Sequence, residues 1–135
     1  MRIALDSSAL IAAHISRAGV CAELLEDLLL RHELVTSEII LGELGQKLVE
    51  KFRFPKREAS QIAAFLRRVA VIVAPADMLS GVYRDPTDIP VLGTAVGGDC
   101  ALLISVEHDL LDQHCVNEIP IIRAAEYWRR TTEGG

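Results

Sequence analysis

Ala101-Leu102-Leu103-Ile104-Ser105-Val106-Glu107 is a short apolar run that leads into an acid. A run of this length without polar alternation reads as a strand buried on both faces, the kind found in parallel sheets covered by helices. The chain opens on the same design, with Arg2-Ile3-Ala4-Leu5 leading into Asp6. In an open α/β sheet, ligands bind in the crevice beyond the carboxyl ends of the strands. Two acids placed there direct attention to a site at that edge.

Outward from these runs, apolar stretches alternate with amphipathic ones, which predicts βαβ units in an α/β fold. The expected architecture is a central parallel sheet of four or five strands sandwiched between helices. Beyond the two strands named, the pattern predicts strands at 34–36 and 69–73 and an edge strand at 120–122 opened by Pro120. Helices are expected at 8–14, around Cys21 to Leu29, at 37–51 with Ser37 as N-cap, at 56–68 and at 123–130. Within the 37–51 helix, Glu43 falls in one arc with Ile39, Ile40, Leu41, Leu44 and Leu48, so its carboxylate requires a partner. Pro90 is tolerated only in a first helical turn, which makes Thr87 or Asp88 the cap of the next helix, with Asp88 on the same face as Val91, Leu92, Ala95 and Val96.

With 135 residues, 50% of them hydrophobic and 24% charged, the chain suits one domain with a continuous core. The expectation is a single domain over 1–130 with a frayed tail at 131–135. No apolar run approaches the roughly 20 residues of a membrane span, and Asp6 interrupts the start too early for a signal peptide, so the expected location is the cytoplasm with no membrane partner. Cys21, Cys100 and Cys115 lack metal or redox spacing and read as plain buried or half-buried thiols. The net charge of −5 argues against simple electrostatic wrapping of nucleic acid, yet seven of the fourteen basic residues lie between Lys47 and Arg68 against two acids. That segment is either the solvated face of two helices or a phosphate-contacting flank that includes Lys47 and Lys51.

Asp6, Glu43, Asp88 and Glu107 each adjoin an apolar element. Taken singly, Asp6 and Asp88 read as helix caps, Glu43 as an ion-pair partner and Glu107 as a surface charge. Taken together, they suggest one site. Carboxylates at close range raise each other's pKa unless a cation compensates, and hard oxygen donors select Mg²⁺ or Mn²⁺. Such an ion lowers the pKa of a water for attack on phosphorus. A haloacid-dehalogenase-type phosphatase would need a second aspartate where Ser8 stands. The four histidines show no ligand spacing.

Four segments, Ile3-Ala4-Leu5-Asp6-Ser7-Ser8-Ala9-Leu10, Ser37-Glu38-Ile39-Ile40-Leu41-Gly42-Glu43-Leu44, Arg84-Asp85-Pro86-Thr87-Asp88, and Leu103-Ile104-Ser105-Val106-Glu107-His108-Asp109-Leu110-Leu111, resemble in order and spacing the motifs of PIN-domain nucleases. The similarity is greatest to the VapC-like toxin branch. This resemblance implies a three-layer α/β/α sandwich and a metal-dependent ribonuclease. By it, Asp6, Glu43, Asp88 and Glu107 are catalytic, and Asp6, Asp88 and Glu107 hold Mg²⁺ or Mn²⁺. Ser8, Ser105, Asp109 and Asp85 occupy supporting positions. RNA is the implied substrate, a cognate antitoxin and a second copy of the chain the implied partners. Two departures stand out: Ser8 replaces a common Asn, and Val106-Glu107 replaces Gly-Asp. The first keeps a hydrogen-bonding side chain; the second, at Glu107, sustains another reading, a PIN-like binding or regulatory module without catalysis.

Overall fold

A computed structural model describes residues 1–16, 18–78 and 86–133. Strands β1 (Arg2–Leu5), β2 (Glu33–Thr36), β3 (Val71–Ile72), β4 (Leu102–Ile104), β5 (Cys115–Val116) and β6 (Ile119–Ile122) form one sheet in the order β3-β2-β1-β4-β6-β5. All neighbouring pairs are parallel except β5 with β6. The sheet therefore has five parallel strands, within the four or five expected, plus a short antiparallel sixth. Helices α1 (Ser7–Ile15), α2 (Val20–Arg31), α3 (Glu38–Glu50), α4 (Lys56–Val69), α5 (Ile89–Gly97), α6 (His108–Leu111) and α7 (Ala124–Glu133) flank it, in an α/β/α sandwich. Among the described residues, no single helix is long and apolar enough to cross a membrane.

The two apolar runs that lead into acids are the centre of the sheet. β1 pairs with β4 in the register Leu5↔Ile104, and Ile3, Ala4, Leu5, Leu102, Leu103 and Ile104 are all buried. The chain moves outward from β1 through β2 to β3, then returns across to β4. That reversal makes the β1/β4 boundary the topological switch point, where the connections diverge and leave a crevice at the strand ends.

Several elements depart from the sequence expectation. The apolar run 69–73 is mostly not strand: α4 keeps Val69, the Ala70 N–H donates to the Leu66 carbonyl at 2.9 Å, and β3 is an edge strand of two residues. Helical propagation through the buried Leu66 outcompetes the strand propensity of the valines that follow. The predicted edge strand at 120–122 is an inner strand, because Asn117 (φ 45°) and Glu118 (φ 69°) turn the chain back and lay β5 along its outer side. Pro120 is its second residue, and the ladder resumes past it where the Ile121 N–H donates to the His114 carbonyl at 2.8 Å. The last helix, expected to end at Arg130, continues to Glu133. Tyr127 explains this, being fully buried, with its hydroxyl donating to Asp27 of α2 at 2.6 Å, which ties the terminal helix down. Ile39, placed by periodicity on the inner arc of α3, is exposed, and so is Cys115.

Candidate active site

Asp6 ends β1 and is the N-cap of α1, with extended backbone angles (φ −73°, ψ 170°). Its Oδ1 accepts the Ala9 N–H at 2.7 Å, and its Oδ2 accepts the hydroxyl of Ser105. The strand ladder makes this reach possible: the Asp6 N–H donates to the Ile104 carbonyl at 3.1 Å, which sets the end of β1 beside the residue after β4. Ser105 Oγ also accepts the Glu107 N–H at 2.9 Å, while the Ser8 hydroxyl donates to Glu107 Oε1. Two serines thus hold the first and fourth acids in a reciprocal arrangement across the switch point.

Asp88 arrives from the other direction. A single 3₁₀ turn, Pro86–Asp88, leads into α5, and Asp88 holds the N-cap position with Pro90 in the first turn, as the proline argument predicted. Its side chain makes no capping hydrogen bond; it is 4% exposed and lines the cleft. The helix behind it is held by close contact. An added Cβ on Gly93 would stand 2.7 Å from the Ala76 carbonyl oxygen, and one on Gly97 2.4 Å from that of Ala74. Thr94 of α5 joins its hydroxyl to that of Ser37, the N-cap of α3, at 2.8 Å. The helices bearing Asp88 and Glu43 are thereby registered to each other.

Glu43 finds its required partner one turn along α3, in Lys47, at 2.7 Å. Their side chains are 32% and 27% exposed, so the pair sits at the rim of the buried face of α3. The whole arrangement encloses a cavity of about 150 Å³ lined by Asp6, Ser7, Glu43, Lys47, Thr87, Asp88, Val91, Glu107 and Leu110. All four acids proposed from the sequence meet there. Asp85 lies outside the described residues. Asp109 and His108 are exposed on α6, and Lys51 is exposed at the end of α3; none of the three lines the cavity. Ser7 and Thr87 line it as well, although in sequence Ser7 had no role and Thr87 only that of a candidate helix cap. Lys47, which in the sequence belongs to a basic segment read as a solvated face or a phosphate-contacting flank, lines the cleft, and its i+4 spacing from Glu43 is the signal that pairs them.

The electrostatics follow from this crowding. Burial raises the Asp6 carboxyl to about 6; the Ser105 hydroxyl and the Ala9 N–H pull it down, Glu107 pushes it up, and Lys47 lowers it. Burial alone would lower the Lys47 ammonium, but its hydrogen bond to Glu43 and the charges of Glu43, Glu107 and Asp6 outweigh that and raise it. The donor chemistry fits a hard divalent cation: carboxylate oxygens in a polar cavity, one of them held at a burial cost that a bound charge would relieve. As the side chains stand, no group of three His, Cys, Asp or Glu among the described residues is gathered to clasp an ion. Serine, backbone and lysine partners hold Asp6, Glu43 and Glu107 instead.

The sequence matches the family model described as the PIN domain over residues 2–109, a span that includes all four acids. The chain belongs to the PIN-domain family. PIN domains are nucleases that generally use divalent metals, and this one carries the family's fold. It is similar to the structure of VapBC2 from Rickettsia felis bound to a promoter DNA fragment, with a TM-score of 0.66 at 13% identity, covering 91% of this chain and 98% of that one. It is also similar to PAE2754 from Pyrobaculum aerophilum, with a TM-score of 0.65 at 17% identity, covering 98% of this chain and 90% of that one. No curated protein matches the sequence. At such identities the structural likeness concerns the fold, and the chemistry rests on the site's own residues.

Proposed function

We propose that this PIN domain is a metal-dependent endoribonuclease that hydrolyses RNA phosphodiester bonds. The observation that carries the reading is the convergence of Asp6, Glu43, Asp88 and Glu107, from four separate elements, on one polar cavity at the switch point. Asp6, Asp88 and Glu107 would hold Mg²⁺ or Mn²⁺, which when bound supplies an activated water and charge stabilisation at phosphorus. Ser105 orients Asp6 and Ser8 orients Glu107 through the hydrogen bonds described. Glu43 completes the acidic wall. Outside the cleft, Lys51, Arg53, Lys56, Arg57 and Arg68 are exposed and suit the phosphates of a bound strand, whereas Arg67 is engaged by Glu38 at 2.7 and 2.9 Å.

The likeness to VapBC2 supports a finer reading, in which the chain is the toxin of a toxin–antitoxin pair with a cognate antitoxin as partner; we propose in addition, from the sequence alone, that it acts in the cytoplasm as a homodimer. Exposed Leu30 (82%), Phe52 and Phe65 supply apolar surface for such contacts. A second reading, a PIN module that binds without cleaving, draws on the Glu43–Lys47 pair and on Glu107 held by Ser8. One experiment separates them: purified protein incubated with RNA and Mn²⁺ or Mg²⁺, with and without chelator. Cleavage that chelator stops supports the nuclease. RNA retained but uncut with either ion supports the binding module.

A further inference from the structure

An exposed lysine four residues after a glutamate is an everyday surface pair, worth little to stability. Lys47 is placed differently. Its side chain is about three-quarters covered, and among the described residues lining the cleft it carries the only positive charge, against four carboxylates. The partners of Asp6 other than Lys47 are neutral: a serine hydroxyl and a backbone N–H. Glu107 accepts from another serine hydroxyl. Neutral donors orient carboxylates but leave their mutual repulsion in place, and in a site this enclosed that repulsion is poorly screened. Lys47 bonds directly to Glu43 and acts through space on Asp6 and Glu107.

We propose that Lys47 is the cleft's built-in counter-cation, which holds the acids together when no metal is bound and competes with a divalent ion for them, so that it sets the ion affinity of the site. The inference rests on the metal-dependent reading above and deepens it. A lysine suits this task because its compact charge rides on a flexible four-carbon stem that can withdraw toward solvent as an ion enters. The resident positive charge lowers the affinity of the site for any second cation. It also accounts for an arrangement with carboxylate donors suited to an ion but, among the described residues, no group of three already gathered around one.

The test measures ion binding in the absence of RNA. Mn²⁺ is titrated by calorimetry into wild type, Lys47→Met and Lys47→Arg, and each protein is melted in chelator. The Met variant keeps most of the stem and removes the charge. Its Mn²⁺ dissociation constant is expected to tighten about tenfold, since a like charge has left the site. Its melting temperature should fall in chelator and rise more than that of wild type when Mn²⁺ is added. Lys47→Arg, which keeps the charge, should stay within about threefold of wild-type affinity. If Lys47→Met melts too early in chelator to titrate, Lys47→Gln supplies the affinity. Equal or weaker Mn²⁺ binding by the charge-free variant, with measurable binding to wild type, would overturn the role of Lys47 and leave the nuclease reading standing. Absence of Mn²⁺ and Mg²⁺ binding in every protein would overturn both.

Discussion

Two helices begin with an aspartate at the mouth of the same cleft, α1 at Asp6 and α5 at Asp88, and the two residues are used differently. Asp6 spends one oxygen on the Ala9 N–H and the other on Ser105, whereas Asp88, in the equivalent cap position, makes no capping bond. The backbone explains the contrast. Asp6 has extended angles, which aim its side chain at the open amides of the first turn; Asp88 is already helical (φ −79°, ψ −18°) and follows a 3₁₀ turn, which aims its carboxylate elsewhere. Capping and lining the cleft are therefore not alternatives: Asp6 does both, and Asp88 occupies a cap position without making a cap's bond.

The largest effect expected from breaking this comparison is on cleavage. Asp6→Asn and Asp88→Asn should each reduce Mn²⁺-dependent RNA hydrolysis on the order of a hundredfold or more, since each removes an anionic donor. Asp6→Asn should also melt at an equal or higher temperature than wild type in chelator, because Asn still caps the helix and no charge remains buried. Retained cleavage in either variant would remove that residue from the site.

A pH series in chelator tests the burial of Asp6 directly. Its carboxyl stands near 6 in the folded protein against 3.8 for the ordinary group, so the folded state binds the proton more tightly than the unfolded state does. The stabilisation tied to that proton is complete below about 4, is lost as pH rises through about 6, and amounts to on the order of 2–3 kcal/mol. Urea denaturation at pH 5 and 7 should show this component in wild type and lose it in Asp6→Asn. An identical pH dependence in the two proteins would mean that another group carries it.

Next in size is the seating of the Asp88 helix. Gly97→Ala places a Cβ against the Ala74 carbonyl at a distance that requires backbone movement. The expected cost is about 2 kcal/mol, net of the helix propensity alanine adds. Since α5 is the element displaced, Mn²⁺ affinity should weaken along with stability. An unchanged affinity would show that the seating of α5 does not position Asp88. The smallest effect compares the caps themselves: Asp6→Ala should be less stable than Asp6→Asn by about 1 kcal/mol in thermal or urea unfolding, and Asp88→Ala less stable than Asp88→Asn by less than about half of that. Equal costs would erase the distinction drawn between the two aspartates.

Local order in the chain was sufficient for much of this protein. Unbroken apolar runs identified the two central strands, Ser37 and Pro90 placed the starts of α3 and α5, and acids that follow strands, lead a helix or, as Glu43, fall within an apolar helical arc marked the four residues that line the cleft. These signals are legible because burial periodicity and capping are settled by neighbours within about one helical turn or a few strand residues. The length of β3, the inner position of β6, the exposure of Ile39 and the helical run to Glu133 were decided by competition between elements. So was the inside of the cleft. Ser105 reaches Asp6, and Ser8 reaches Glu107, across 99 residues of chain. Those contacts exist because strand order sets β1 beside β4. Lys47 read in sequence as part of a basic flank; its charge became internal once α3 was laid against the acidic edge. Sequence determined which residues carry charge and which face they favour, while tertiary structure decided which charges share one poorly screened volume, because that depends on distances between elements that no local pattern specifies.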